Sequence, residues 1–111
     1  MRTVFHVTEA GNWGAIQEEG LIPQVGERSA ELNEPPGIYV FPTEDDMNTA
    51  LSQWLGEWFD EKEEQIDAHI NLISLKILLP DSIPIEHTQA PYELRVTEAI
   101  PPMYIELHKH Q

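Results

Sequence analysis

The sequence predicts one α+β domain in which small antiparallel or mixed sheets pack with two helices. Short β-branched and aromatic runs recur along the chain, and one segment repeats its apolar residues at helical steps. The predicted elements follow the order β-α-loop-β-α-β-β-β, which mixes hairpin-like neighbours with helical crossovers and favours α+β over a doubly wound sheet. With 111 residues, the chain can close one hydrophobic core but not two, so residues 1–111 form one domain.

The first predicted strand covers residues 3–8 (TVFHVT), because β-branched and aromatic residues favour extended backbone. His6 and Thr8 then lie on the same face of this strand. Asn12 is expected to cap a short helix, which Gly20 ends. The opening of the chain is therefore a strand that leads into a helix.

The middle of the chain predicts a loop, a strand and a second helix. Residues 22–36 contain Pro and Gly and predict a long surface loop, and residues 38–41 (IYVF) predict a strand. Thr43 is expected to cap the next helix, whose first turn is acidic. The apolar residues of this helix recur at three- and four-residue steps and predict one continuous element: Met47, Ala50, Leu51, Trp54, Leu55 and Trp58.

The remaining residues predict three strands. Residues 69–79 (HINLISLKILL) predict a long central strand that is covered on both faces for part of its length. A loop is expected between Pro84 and Pro91. Residues 92–96 alternate between apolar and charged and predict the next strand, and residues 103–107 predict the last one.

The charge of the chain restricts its partners. Twenty Asp and Glu residues against six Lys and Arg residues give a formal net charge of -14, which repels nucleic-acid backbones. Residues 60–67 (DEKEEQID) predict a solvated helix end or loop tip that favours solubility. The alternative is that the acidic face from Glu57 to Asp67 binds a basic protein.

Several classes of protein are disfavoured by composition. The chain has no cysteine, which excludes disulfides and thiolate catalysis, and the terminal His-Lys-His of residues 108–110 is expected to fray, so no metal site is assigned. Residues 1–7 do not have the pattern of a signal peptide, and no apolar run is long enough to span a membrane. A cytoplasmic protein is expected.

Five short patterns occur along most of the chain in a set order: FHVT, EEGLIP, GIYVFPTED, LKILLP and YELRV. In this order they resemble the ADP-ribosyltransferase-like superfamily, which includes NAD-dependent ADP-ribosyltransferases and RNA 2′-phosphotransferases. Its members share an opening strand with His or Arg, a middle strand with Tyr or Ser and a late strand with Glu or Gln. The resemblance implies this fold, NAD as the substrate and transfer of ADP-ribose to an unidentified acceptor. The acidity of the chain disfavours the RNA branch.

The resemblance also implies roles for individual residues. His6 would hydrogen-bond the ribose next to the adenine, and Thr8 would face the same nucleotide. Tyr39 would stack on the nicotinamide, and Arg28 would contact the pyrophosphate. Glu93 would grip the nicotinamide ribose and stabilise the oxocarbenium-like transition state, so His6, Tyr39 and Glu93 form the expected catalytic set.

The chain departs from the family pattern at two positions. Many members carry a second aromatic residue eleven positions after the middle-strand tyrosine, where this chain has Ala50. Trp54, one helical turn further on, is the candidate replacement for binding NAD; the alternative is that it packs in the core. Pro91 stands two positions before the late glutamate, which leaves modification of arginine unsupported, and Glu98 is the fallback carboxylate.

Each of the expected site residues also has a purely structural interpretation. On the residues alone, His6 is a core or edge histidine and Tyr39 is a core aromatic. Glu93 is an exposed strand residue that pairs with Arg95 or a neighbour. A function without catalysis therefore stays open, namely a small acidic adaptor or inhibitor that binds a basic partner.

Overall fold

The computed structural model describes residues 1–23, 36–90 and 92–111. Most of the predicted loop over residues 22–36, with Arg28, lies outside these ranges, as does Pro91. Three α-helices are present in the described ranges: α1 (Trp13–Glu19), α2 (Glu44–Leu51) and α3 (Trp54–Ile66). The described strands are β1 (Arg2–Glu9), β2 (Ile38–Val40), β3 (Leu72–Leu79), β4 (Ile85–His87), β5 (Leu94–Val96) and β6 (Ile105–His110). Short 3-10 turns cover Ala10–Asn12 and Pro102–Tyr104. None of the described helices is long and apolar enough to cross a membrane.

The strands form two small antiparallel sheets, which confirms the α+β class. One sheet has the order β1-β3-β6 and the other the order β2-β5-β4. Phe5 in β1 and Phe41, directly after β2, join the two sheets: the N–H of each donates to the carbonyl of the other, at 2.9 and 2.7 Å. The opening strand therefore lies beside the end of β2.

Strand β3 is the centre of the first sheet. Ile73, Ser74 and Leu75 are buried in succession, and the following residues alternate between exposed and buried. The prediction of a strand covered on both faces for part of its length is therefore confirmed. The strand begins at Leu72 rather than at His69.

Two groups of buried side chains form the core. The larger one fills the space between the sheets and α1: Val4, Ile16, Leu21, Ile38, Val40, Ile73, Leu75, Ile77, Leu79, Leu94, Val96 and Ile100. The smaller one lies under α2 and α3: Phe5, Phe41, Met47, Ala50 and Leu55. Because Phe5 and Phe41 belong to the smaller group, the two helices pack where the sheets meet.

The second predicted helix is two helices, so the prediction of one continuous element is wrong. The Ser52 hydroxyl donates to the Thr49 carbonyl at 3.0 Å, and the backbone at Gln53 leaves the helical region (φ -127°, ψ -119°). Gly56 lets α3 approach the end of α2, because a Cβ there would lie 2.0 Å from the Leu51 carbonyl oxygen. The apolar spacing continues across the break, which is why it did not reveal the break.

The three predicted helix ends at Asn12, Gly20 and Thr43 lie where expected, but one of them is not capped as predicted. Thr43 caps α2 as predicted, since its hydroxyl accepts a hydrogen bond from the Asp46 N–H at 3.0 Å. Asn12 stands at the start of α1, but its side chain donates to the Thr8 hydroxyl at 3.0 Å instead of capping the helix. Gly20 ends α1 with φ 77°, a conformation that favours glycine.

Three predictions for the last strands need correction. The strand expected over residues 92–96 covers only Leu94–Val96, because Tyr92 has a left-handed backbone (φ 63°). The loop expected between Pro84 and Pro91 contains strand β4, which pairs with β5. The terminal His-Lys-His is not frayed: it belongs to β6, and His110 lies opposite Ile73.

Candidate functional site

A cavity of about 480 Å³ lies between β1, α1, β2 and α3. Small-molecule sites in proteins usually have about 300–1,000 Å³, so this cavity has the size of such a site. Its described lining residues come from all four elements and the segments next to them: His6, Val7, Thr8, Glu9, Asn12, Ala15, Ile16, Glu19, Gly20, Leu21, Ile22, Gly37, Ile38, Tyr39, Trp58, Phe59 and Lys62.

His6 and Tyr39 connect two walls of the cavity. The imidazole Nδ1 of His6 lies 2.6 Å from the backbone carbonyl oxygen of Tyr39. A carbonyl oxygen only accepts, so Nδ1 carries the hydrogen and donates it. In the neutral ring, Nε2 is then the acceptor nitrogen. The hydrogen bond therefore sets both the position and the tautomer of the imidazole.

Thr8 and Asn12 form the wall where β1 leads into α1. The Asn12 side-chain amide donates to the Thr8 hydroxyl, and both residues line the cavity. The strand places Thr8 on the same face as His6, two residues earlier. The opening strand therefore contributes two polar side chains to one wall, as its alternation predicted.

Helix α3 contributes the aromatic wall and a cation. The rings of Trp58 and Phe59 meet edge to face, with centroids 5.0 Å apart. The Lys62 ammonium lies 5.5 Å from the centre of the Trp58 ring and 3.3 Å from Glu9 Oε2. Residues four apart on a helix share a face, which brings Trp58 and Lys62 to the same wall.

Sequence reasoning did not identify Trp58 and Lys62 as site residues. The sequence pattern places Trp58 on the apolar face of a helix and Lys62 within the charge run of residues 60–67. The available signal was their spacing: an aromatic residue and the one basic residue of an acidic helix stand four positions apart. The spacing shows which side chains share a face but not which cavity that face lines.

The structure brings together three of the predicted site residues. His6, Thr8 and Tyr39 all line the cavity, whereas Trp54 and Glu93 are not among its described lining residues. Arg28 lies outside the described residues. Trp54 packs against the smaller core group, with its ring centroid 6.2 Å from that of Phe41. The core alternative for Trp54 therefore agrees with the structure.

Glu93 stands directly before β5 and is only 2% exposed. The Thr88 hydroxyl donates to its Oε1 at 3.1 Å. The interpretation of Glu93 as an exposed strand residue that pairs with Arg95 or a neighbour is therefore wrong about its exposure. Arg95 pairs with Glu86 instead, with 2.7 Å between Nη2 and Oε2, and this hydrogen bond raises the pKa of the Arg95 guanidinium.

A second, shallower hollow lies at the end of α3. It is lined by Asp60, Glu63, Glu64, Asp67, Ala68 and His69. Glu63 Oε2 accepts from the Ile70 N–H at 2.9 Å and lies 2.7 Å from His69 Nδ1. In the described part of the chain, no group of three or more His, Asp or Glu side chains is arranged to hold a metal ion.

The first cavity combines groups that suit a nucleotide. Aromatic side chains offer flat faces for a base or a nicotinamide, His6 offers a ring nitrogen for a sugar hydroxyl, and Lys62 offers a cation for a phosphate. Comparisons of the chain with protein-family models, with curated proteins and with solved structures find no match, so this geometry is the basis for assigning a function.

Proposed function

We propose that this chain is an ADP-ribosyltransferase-like domain that binds NAD in the cavity between β1 and β2 and transfers its ADP-ribose to an acceptor. One observation carries the proposal. His6 and Tyr39, which stand 33 residues apart in the chain, are hydrogen-bonded to each other and line the same cavity together with Thr8. His6 on β1 and Tyr39 on β2 thus line one shared wall of the cavity.

The aromatic residues of the cavity suit the nicotinamide ring. This ring is flat and cationic in NAD, and aromatic faces attract such rings through their quadrupole. Tyr39 and Trp58 both line the cavity, whereas Trp54 packs in the core. We therefore assign to Trp58 the aromatic role for which Trp54 was the sequence candidate.

The transfer step would break the bond between the ribose anomeric carbon and nicotinamide. Nicotinamide leaves with the bonding electron pair, and the acceptor nucleophile then attacks the anomeric carbon and loses its proton. A carboxylate favours this step because cationic character develops on the ribose. Glu93 is the candidate, since it directly precedes β5, which pairs with the strand that carries Tyr39.

Binding and transfer therefore depend on different residues. Titration calorimetry with millimolar NAD measures binding, and release of nicotinamide measures turnover. We expect His6→Ala to abolish the heat of NAD binding, and Glu93→Gln to retain the heat but slow nicotinamide release ~100-fold or more. Glu98→Gln is the comparison variant, because Glu98 is the fallback carboxylate and is exposed.

The outcomes separate the two parts of the proposal. An absence of heat with the unmodified protein would overturn NAD binding. Turnover that is unchanged in Glu93→Gln would overturn the role of Glu93, and loss of turnover in Glu98→Gln alone would assign the carboxylate to Glu98.

A second candidate function is a non-catalytic acidic adaptor or inhibitor that binds a basic protein. Helix α3 carries exposed acids on the face from Glu57 to Asp67, and Glu93 is not among the described residues that line the cavity. A basic partner that is retained by His6→Ala but lost when Glu61, Glu63 and Glu64 are all changed to Gln would favour this candidate over NAD chemistry.

A further inference from the structure

We infer that Lys62 is the phosphate-binding residue of this cavity, and that Glu9 pairs with Lys62 until a phosphorylated ligand replaces it. This inference rests on the proposed function, because it names the chemical group of the ligand that the cavity recognises. The ligand class is a nucleoside carrying a phosphate or diphosphate.

The position of Lys62 on α3 is the first observation. Helix α3 has one basic residue, Lys62, among its acids, and those acids are Glu57, Asp60, Glu61, Glu63 and Glu64. The Lys62 side chain is 19% exposed and lines the cavity, whereas most of the acids face solvent. Lys62 is the only Lys or Arg among the described lining residues. The helix therefore turns its cation towards the cavity.

The Lys62–Glu9 pair is the second observation. The distance of 3.3 Å between Nζ and Oε2 is longer than the usual ~2.7–2.9 Å of a close charge-assisted hydrogen bond. The Glu9 side chain is 42% exposed, so its carboxylate can be solvated by water once it leaves the lysine. A phosphate oxygen that takes the place of this carboxylate would therefore keep a charge-assisted hydrogen bond on the ammonium, while the released carboxylate is solvated by water.

The neighbourhood of Trp58 is the third observation. Its ring lies 5.5 Å from the Lys62 ammonium, within the ~6 Å range in which an aromatic face attracts a cation. This contact holds the ammonium beside the aromatic wall of the cavity. A phosphate bound by Lys62 is thus placed next to the surface on which the attached ring would stack.

The test compares a phosphorylated ligand with its phosphate-free counterpart. Calorimetry measures the affinities for ADP-ribose and for adenosine in Lys62→Met and Glu9→Gln. Lys76→Met is the matched control, since Lys76 is exposed on β3 and is not a lining residue. We expect Lys62→Met to lower the affinity for ADP-ribose about tenfold or more without changing the affinity for adenosine. Glu9→Gln should raise the affinity for ADP-ribose about two- to fivefold, because the competing carboxylate is removed.

Other outcomes overturn the inference. Equal weakening of both ligands by Lys62→Met, or weaker ADP-ribose binding in Glu9→Gln, would show that the ion pair only supports the wall. Full affinity for NAD in Lys62→Met would also overturn the inference, while leaving the proposed function intact.

A probe without a nucleoside separates this inference from the proposed function. Inorganic pyrophosphate is added while the indole N–H resonance of Trp58, assigned with Trp58→Phe, is followed by NMR. A shift in the unmodified protein and none in Lys62→Met supports the phosphate site even if NAD does not bind. No shift with pyrophosphate and no binding of ADP-ribose would refute it.

Discussion

The imidazole of His6 donates a hydrogen bond from Nδ1 to the backbone carbonyl of Tyr39, with 2.6 Å between the two atoms. This bond joins β1 to β2 at the wall of the cavity. Because the acceptor belongs to the backbone, the bond positions the Tyr39 strand independently of the tyrosine ring. A residue predicted to bind ligand therefore also has a structural role, and the two roles have to be separated by experiment.

Substitution of His6 separates these roles. We expect His6→Ala to lower the free energy of unfolding by about 1 kcal/mol, because the Tyr39 carbonyl loses its donor. His6→Asn keeps an amide donor at the δ position and should retain most of that stability. Both variants lack Nε2 and should lose affinity for NAD. Urea unfolding and calorimetry check these expectations, and equal destabilisation by Asn and Ala would contradict them.

Gly56→Ala is expected to destabilise the protein, although replacing Gly by Ala normally stabilises a helix. A Cβ at this position would lie 2.0 Å from the Leu51 carbonyl oxygen, so Gly56→Ala has to push α3 away from the end of α2. Gly14 in α1 has no atom within 4 Å of the corresponding position. We expect Gly14→Ala to stabilise the protein by ~0.5–1 kcal/mol and Gly56→Ala to destabilise it by about 1 kcal/mol or more. Thermal and urea unfolding measure both, and a gain in stability from Gly56→Ala would disprove the close approach.

The Thr43 cap gives a third prediction. Its hydroxyl accepts from the Asp46 N–H at 3.0 Å, which satisfies one of the free donors at the start of α2. Thr43→Ala should lower the free energy of unfolding by about 1 kcal/mol. Thr43→Ser keeps the hydroxyl and serves as the control. Denaturant midpoints at neutral pH compare the variants, and a Ser variant as unstable as the Ala variant would point to the methyl group instead of the cap.

Glu44 gives a prediction for the dependence of stability on pH. The hydrogen bond with His108 lowers the pKa of Glu44, and the charge of Lys109 acts in the same direction. A carboxyl whose pKa is lower in the folded state contributes stability above its unfolded pKa, about 4.3, and loses it as the pH falls through the folded pKa.

The stability difference between the unmodified protein and Glu44→Gln should therefore be present at pH 7 and shrink as the pH falls below about 4. Asp45→Asn is the control, since Asp45 lies in the same first turn of α2 and shares its helix-dipole interaction. Urea midpoints from pH 7 to pH 3 measure the difference. A difference that stays constant over this range would contradict the Glu44–His108 interaction.

Local signals in the sequence were sufficient for several parts of the fold. The central strand followed from its Ile- and Leu-rich run, and the start of α2 followed from Thr43 and the acids after it. The end of α1 followed from Gly20, whose left-handed backbone is favourable for glycine. In each case, neighbouring residues along the chain carry the physical cause of the element.

The errors share a different cause. The break between α2 and α3 depends on the approach of Leu51 to Gly56, and strand β4 depends on pairing with β5. The pairing of residues 108–110 likewise depends on β3. Neither the apolar spacing of a helix nor the position of a segment at the end of the chain reveals these contacts.

The candidate site likewise combines residues that the sequence identifies with contacts that only the folded chain creates. Alternation along β1 placed His6 and Thr8 on one face, and the family resemblance singled out Tyr39. Their meeting in one cavity required the two sheets to join at Phe5 and Phe41. The burial of Glu93 and the ion pair between Lys62 and Glu9 are also consequences of the tertiary structure. Burial and ion pairing depend on segments that are distant in sequence and adjacent in space.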